Sequence, residues 1–412
     1  FSESSGLVKE MRDGELKFFR KRFLSEMDWD CEHDPDVSKN WAKDVRVAVQ
    51  NEKPQITQAK VDRLNAAHRG VRFVMREWME HQSALEYTRK LGVKMTPEQN
   101  HSVFLAMQGF RERRAETAKI QVPSSFDPRA KWPACAEVIG RIHDQKTCGS
   151  CWAFGALSAV DSRVCIESGG QWSGPDAQLS RGQVTSCAYT HKGEQGRDGC
   201  AGAWPPIAFD MLEQHGVVTG GDQGCQPYFG TGRGVDHFVS SNPAPPCRHA
   251  CKAGYRRSFS GDRVRLAGIG STAQVLHVAS PGTSRSEGNA QARLAMYRDG
   301  PITYTMAAVG SFQGYSHGVW NMNCDSGLNH AVTAIGWGPG YIVSLNSWGP
   351  YWGNRGGFNM GDNCVFHWII PGKITGTNLR SLLPIPGGGS GTWRPTPAPT
   401  PPPCPWWQFW CG

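Results

Sequence analysis

The spacing of apolar residues changes character along the chain. Between Ala59 and Lys90 the side chains of Val61, Leu64, Ala67, Val71, Val74, Trp78 and Leu85 recur at the intervals of one helix face. Met95-Thr96-Pro97-Glu98 reads as a helix start, with Thr96 as N-cap and Pro97 at the first helical position. Ala59–Glu80 and Met95–Arg114 are therefore the helices expected in the N-terminal part. A clearer helix opens at Cys151 and runs toward Glu167, with Phe154, Leu157, Val160, Val164 and Ile166 as its apolar set. Shorter ones are expected at Pro205–His215 and Ala290–Arg298. After about Gly300 the pattern turns to β-type runs at Ile302–Met306, Ala331–Ile335, Tyr341–Leu345 and Phe366–Ile370, punctuated by Gly and Asn. Helices first and strands later within one unit imply an α+β architecture.

Charge divides the chain. Of residues 1–121, 41 are charged, whereas the remaining 291 residues carry only 39. Residues 1–121 are thus expected to be a separately organised, helical, charged region, and Cys31 is their single cysteine. Residues 122–375, rich in Cys, Gly, Pro and Trp, form the main domain. Residues 376–403 read as a Pro/Gly-rich linker, Pro384–Pro405 holding nine prolines in 22 residues. Residues 404–412 bring four aromatics and two cysteines, Cys404 and Cys411. This tail is either the start of a truncated module, one that stacks sugars or docks a partner, or a nonfunctional end.

No apolar run approaches the ~18 residues of a membrane-spanning helix. The net charge of +8 comes without a dense basic block, so nothing argues for nucleic acid. Fourteen cysteines point to an oxidising compartment.

The strongest chemical signal is Gln145-Lys-Thr-Cys148-Gly149-Ser150-Cys151-Trp152. Its C-x-x-C admits a redox pair, half a zinc site completed by Cys247-x-x-x-Cys251, or a structural cysteine beside a reactive one. The third reading has more support, because Cys151 opens an amphipathic helix, where the dipole and free N–H groups favour a thiolate. His330, at the head of a β-like run, and Asn346, at the end of the next, supply an imidazole and an amide to orient it. Gln145 can offer its NH₂ to an oxyanion beside the Cys151 N–H.

These residues resemble the papain-like cysteine peptidases, and within them the cathepsin B-like branch. The resemblance covers roughly residues 122–372, and Cys148-Gly-Ser-Cys-Trp152 is a signature of that family. It implies a two-lobed α+β fold with the cleft between a helical lobe and a barrel-like β lobe. It also implies Cys151 as nucleophile, His330 as base, Asn346 as orienting residue, Gln145 as oxyanion donor and Trp348 as a shield over the Asn346–His330 bond. Gly149, Gly202, Ala203, His237, Trp348 and Trp368 would line the substrate groove. Disulfides 135–165, 148–200, 187–247 and 225–251 follow from the same resemblance; Cys324 with Cys364 and Cys404 with Cys411 are left as candidate pairs. His330 lies 179 residues after Cys151, longer than in shorter relatives, and the excess falls around Gly220–Arg257, where this branch carries an occluding loop.

There are departures. The loop holds one histidine, His237, in place of an adjacent pair, which puts carboxydipeptidase activity in doubt. Ala203 stands where a glycine is usual, and no Asp or Glu lies near His367–Ile369, where an acidic pocket base would fall. The expected function is a cysteine endopeptidase made as a zymogen, with a catalytically silent binding protein as the alternative. No cofactor or metal is called for. Expected partners are polypeptide substrates, the chain's own N-terminal prosegment as intramolecular inhibitor, and cystatin-like inhibitors. The expected location is lysosomal, vacuolar or extracellular.

Overall fold

The computed structural model describes residues 53–96, 99, 121–191, 198–230, 243–277, 285–324 and 327–377. The helices that matter here are α1 (Gln58–Ala67), α2 (Ala84–Arg89), α3 (Cys151–Glu167), α4 (Arg181–His191), α5 (Pro206–Gln214) and α6 (Arg285–Asp299). The strands are β1 (Val71–Phe73), β2 (Leu266–Ala267), β3 (Gln274–His277), β4 (Ile302–Met306), β5 (Tyr315–Trp320), β6 (His330–Gly338), β7 (Tyr341–Leu345), β8 (Gly357–Gly361), β9 (His367–Ile370) and β10 (Gly376–Thr377).

One eight-stranded sheet runs in the order β1-β5-β8-β7-β6-β4-β9-β3, antiparallel except for the β5–β8 pair. β2 and β10 form a separate antiparallel ladder. The architecture is α+β. Residues alternate along β6: Ala331 and Ile335 join a core shared with α3, α4 and α5, while Val332 and Ala334 join a second, aromatic core on the sheet's other face. This is the period-two pattern of a strand buried on both sides.

Helix α3 is the centrepiece. It is buried almost all round, so its sequence carries little amphipathic contrast. Gly155 lets it approach β4 and β6 closely: a Cβ there would sit 3.3 Å from Thr303 Cγ2 and from Val332 N. Thr303 and Thr333 both donate their hydroxyls to the Gly155 carbonyl, at 3.0 and 3.1 Å. These contacts fix the helix N-terminus against the first residues of β6.

The N-terminal segment departs from the helical expectation. Ala59–Glu80 is not one helix: α1 ends at Ala67, and Val71–Phe73 becomes a strand on the edge of β5. Gly70 interrupts the run, and the following β-branched and aromatic residues gain more by closing an open sheet edge than by a further helical turn. Val71 and Phe73 are buried while Arg72 is exposed. Asn65 from α1 bridges both backbone groups of Phe73, each at 2.9 Å. Thr96 does cap: its hydroxyl accepts from Gln99 N–H and the Gln99 side chain accepts from Thr96 N–H. Most of Met95–Arg114, Cys31, His237 and the 404–412 tail lie outside the described residues.

The structure joins Cys135 to Cys165, Cys148 to Cys200, Cys187 to Cys247, Cys225 to Cys251 and Cys324 to Cys364. Cys148 is thereby taken out of any redox pair with Cys151, and Cys247 and Cys251 out of any zinc site.

The segment 53–96 completes the aromatic core: Ile56, Val61, Phe73, Met79 and Tyr87 are all buried in it. Phe73, edge-on to Trp320 with ring centroids 6.1 Å apart, is the pivot of that packing. Phe73→Ala should cost about 3–5 kcal/mol of local stability, read as faster hydrogen exchange of the β1 and β5 amides with α3 unaffected.

Candidate active site

Cys151 is the first residue of α3 and is fully buried. It is the free cysteine among the described residues. The loop before it is pinned by the Cys148–Cys200 bridge and by the Gly149 N–H to Cys200 carbonyl bond of 2.9 Å. Its sulfur accepts a hydrogen bond from the Gly92 N–H at 3.2 Å. The N–H groups of Ala331, Trp152 and Cys151 itself also act on it. Ala331 directly follows His330, so the head of β6 is brought to the sulfur.

His330 is fully buried, and its Nε2 bonds Asn346 Oδ1 at 2.8 Å. Asn346 Oδ1 also accepts the Ser347 N–H, so the amide oxygen faces the ring by construction. His330 Nδ1 has no hydrogen-bond partner among the described residues. Trp348 covers the imidazole, with centroids 5.0 Å apart. Gln145 is equally fixed: Ser347 Oγ donates to its Oε1 at 2.6 Å, which turns the NH₂ toward the site. That NH₂ donates to the carbonyls of Cys148 at 2.7 Å and Lys90 at 2.9 Å.

The Lys90 and Gly92 contacts come from the N-terminal segment, which leaves the end of α2 at Lys90 and then crosses the site as extended backbone around Val93. Gly92 carbonyl accepts from Ala203 N–H at 2.9 Å, and Lys94 N–H donates to Ala203 carbonyl at 3.2 Å. Val93 and Ala203 form a parallel bridge, and Val93 N–H donates to Asn329 carbonyl at 3.0 Å. Gly92 has no room for a side chain, since a Cβ would fall 1.7 Å from the Gly149 carbonyl oxygen. Tyr87 anchors the segment upstream, donating to the carbonyls of Val309 at 2.8 Å and Ala308 at 3.2 Å and standing edge-on to Trp348. The Lys90 ammonium sits over the rings of Trp78 and Trp348, at 5.5 and 5.8 Å.

Burial sets the charge state. It pushes the Cys151 thiol up to about 11, against the pull of the surrounding N–H groups. It pushes His330 down to about 4; the Asn346 bond opposes this and the Lys90 charge adds to it. Covered by residues 87–94, the two are a neutral thiol and a neutral imidazole throughout the physiological range. The N–H groups expected from sequence to favour a thiolate are present but outweighed by desolvation.

Comparison with known proteins places this arrangement. The papain family cysteine protease profile matches residues 122–367. A cathepsin B-like cysteine proteinase of Schistosoma japonicum is 34% identical over 260 residues, covering 58% of this chain and 69% of that protein. A gut-specific cysteine proteinase of Caenorhabditis elegans is 31% identical, covering 64% and 77%. The chain belongs to the papain family of cysteine proteases. It is a cysteine-type peptidase of the cathepsin B-like branch. The fold is shared with procathepsin B S9 from Trypanosoma congolense over 99% of that chain and 77% of this one, at 21% identity and a TM-score of 0.55. It is also shared with digestive procathepsin L2 from Tenebrio molitor, with a TM-score of 0.50 at 18% identity.

Of the groove residues, Gly149, Gly202, Ala203 and Trp348 come together around Cys151 and the covering segment. Trp368 does not. It points to the other side of β9, stacks on Tyr304 with centroids 5.3 Å apart, and donates to Asn289 of α6 at 2.9 Å. Strand alternation turns its neighbours the opposite way: His367 meets Trp204 edge-on at 5.3 Å, and Ile369 joins the helical-lobe core. Papain-family motifs gave no hint of Ser347 as a partner of Gln145, although Asn346-Ser347-Trp348 was in view. Gly92 and Tyr87 carried no motif at all.

The pH sense follows from burial. While covered, His330 takes up no proton until about pH 4, whereas an uncovered imidazole takes one up near its ordinary 6.5. Lowering the pH through that window therefore favours uncovering. Likewise the raised thiol makes covering lose ground above the ordinary thiol value of 9.0. Pulse alkylation of the intact chain with iodoacetamide, mapped to Cys151 by peptide mass, should be slow at pH 6.5–9 and accelerate toward pH 4. A rate that does not change over that range would contradict it.

Proposed function

We propose that the chain is the single-chain precursor of a cathepsin B-like endopeptidase, with residues 53–96 belonging to its inhibitory prosegment. In the uncovered enzyme the Cys151 thiolate attacks the scissile carbonyl carbon, and the carbonyl electron pair moves to oxygen. Gln145 Nε2 and the Cys151 N–H hold that oxyanion. The His330 imidazolium gives its proton to the leaving amine, leaving a thioester on Cys151. Neutral His330 then takes a proton from water, whose oxygen attacks the thioester and releases the acid. Asn346 keeps the ring turned and Trp348 keeps water from their bond.

The observation that carries this reading is one short segment, a helix end running into extended backbone, bonded to both chemical groups at once. Gly92 N–H lies on the sulfur and the Lys90 carbonyl lies on the Gln145 amide. The segment runs parallel to Ala203, reversed relative to a substrate as the family resemblance implies, so a carbonyl reaches the amide while an N–H, not a carbonyl carbon, faces the sulfur. A silent binding protein is not favoured, because all four chemical positions are intact.

Polypeptides are the substrates. Trp204, which follows Ala203, meets His367 edge-on, and no Asp or Glu stands at 367–369, which supports apolar or aromatic substrate side chains over arginine. Five disulfides among the described residues support a secretory or lysosomal setting. Cystatin-like inhibitors would compete for the same uncovered cleft. No helix among the described residues is long and apolar enough to cross a membrane.

Labelling of the processed protein by an epoxide inhibitor of cysteine peptidases should vanish in Cys151→Ala. Survival in Cys151→Ala would place the nucleophile elsewhere. Gln145→Ala should keep the label yet lose roughly 10²–10³ in kcat, the usual cost of one oxyanion donor.

A further inference from the structure

Tyr228 lies in the loop after α5, three residues past Cys225, which is tied to Cys251. Its hydroxyl is 2.9 Å from the backbone carbonyl of Gln145 and 3.0 Å from Ser150 Oγ. A carbonyl only accepts, so the phenol donates its one proton there and Ser150 donates to the phenol oxygen. The ring is held edge-on to Phe154 in the first turns of α3, with centroids 4.8 Å apart, and rests against Phe229 at 4.6 Å. One side chain thus joins the residue carrying the amide donor to the residue preceding the sulfur.

Both ends of this link matter chemically. Ser150 occupies the N-cap position of α3, but its backbone lies at φ −97° and ψ 16°, outside the extended region from which a serine hydroxyl accepts a first-turn N–H. It makes no such bond here. The Ala153 and Phe154 N–H groups are taken instead by the Ser150 backbone carbonyl, at 2.9 and 3.1 Å. The Cys151 and Trp152 N–H groups are left to act on the sulfur. At the other end, Gln145 N–H donates to the Ser347 carbonyl at 2.8 Å and its side chain is held by Ser347 Oγ. The Tyr228 bond fixes the remaining backbone group of Gln145.

We propose that Tyr228 is a positioning residue for the peptidase reaction: its hydroxyl fixes Gln145 through that carbonyl and ties it to Ser150, the residue before the nucleophile, so that the amide donor keeps its place relative to the Cys151 N–H. The inference rests on Gln145 being the oxyanion donor. A looser donor loses transition-state stabilisation without changing how the substrate's ground state binds.

The test uses Tyr228→Phe introduced into the full chain and assayed after processing, with rates expressed per titrated active site so that any unfolded fraction drops out. We expect kcat to fall roughly tenfold with KM within about twofold. In a Gln145→Ala background the same change should cost less than about twofold, because the donor it positions is gone. Equal losses in both backgrounds would overturn the inference while leaving the Gln145 assignment intact. Full kcat in Gln145→Ala alone would overturn both.

Discussion

Desolvation of one sulfur and one imidazole is the constraint around which the rest of the structure is arranged. Cys151 sits at a helix N-terminus among N–H groups that favour a thiolate, and His330 has an amide oxygen on Nε2 that favours an imidazolium. Both preferences are reversed by a strand of backbone laid over them. The covering segment offers matching hydrogen bonds: an N–H for the sulfur and a carbonyl for the Gln145 amide. It therefore removes water without leaving those two groups unsatisfied, and the pair stays neutral.

The same segment is anchored far from the chemistry. β1 extends the sheet at the β5 edge, and Ile56, Phe73, Met79 and Tyr87 fill the aromatic core around Phe312, Trp320, Trp348 and Trp352. Trp348 belongs to both regions, covering His330 on one side and receiving Tyr87 edge-on. Burial of apolar area on the β lobe thus supplies the free energy that holds an otherwise glycine-thin strand at the sulfur. The rigid side of the site comes from α3, locked to β4 and β6 through Gly155, and from the two bonds by which Ser347 holds Gln145.

Much of this was legible in the residues themselves. The buried helix from Cys151, the strands carrying His330 and ending before Asn346, and the α+β order all follow from spacing, and each ends within a few residues of expectation. The N-terminal helix Ala59–Glu80 misread a strand because Val71 and Val74 fit a helical face as well as a pleat; only the open edge of β5, more than 230 residues later, decides between them. Trp368 misled for a related reason: a one-residue shift in a strand exchanges its two faces, and sequence alone does not say which face looks into the cleft. Gly92 was invisible because its role depends on having no side chain, and Ser347 because its partner is a side chain 202 residues away.

The central claim is that covering, not composition, keeps the pair uncharged. It is tested most directly by following the His330 ring with ¹⁵N NMR at pH 6, before and after residues 53–96 are removed. The account requires a neutral imidazole in the intact chain and an imidazolium in the processed one. An imidazolium in both, or a neutral ring in both, would contradict it.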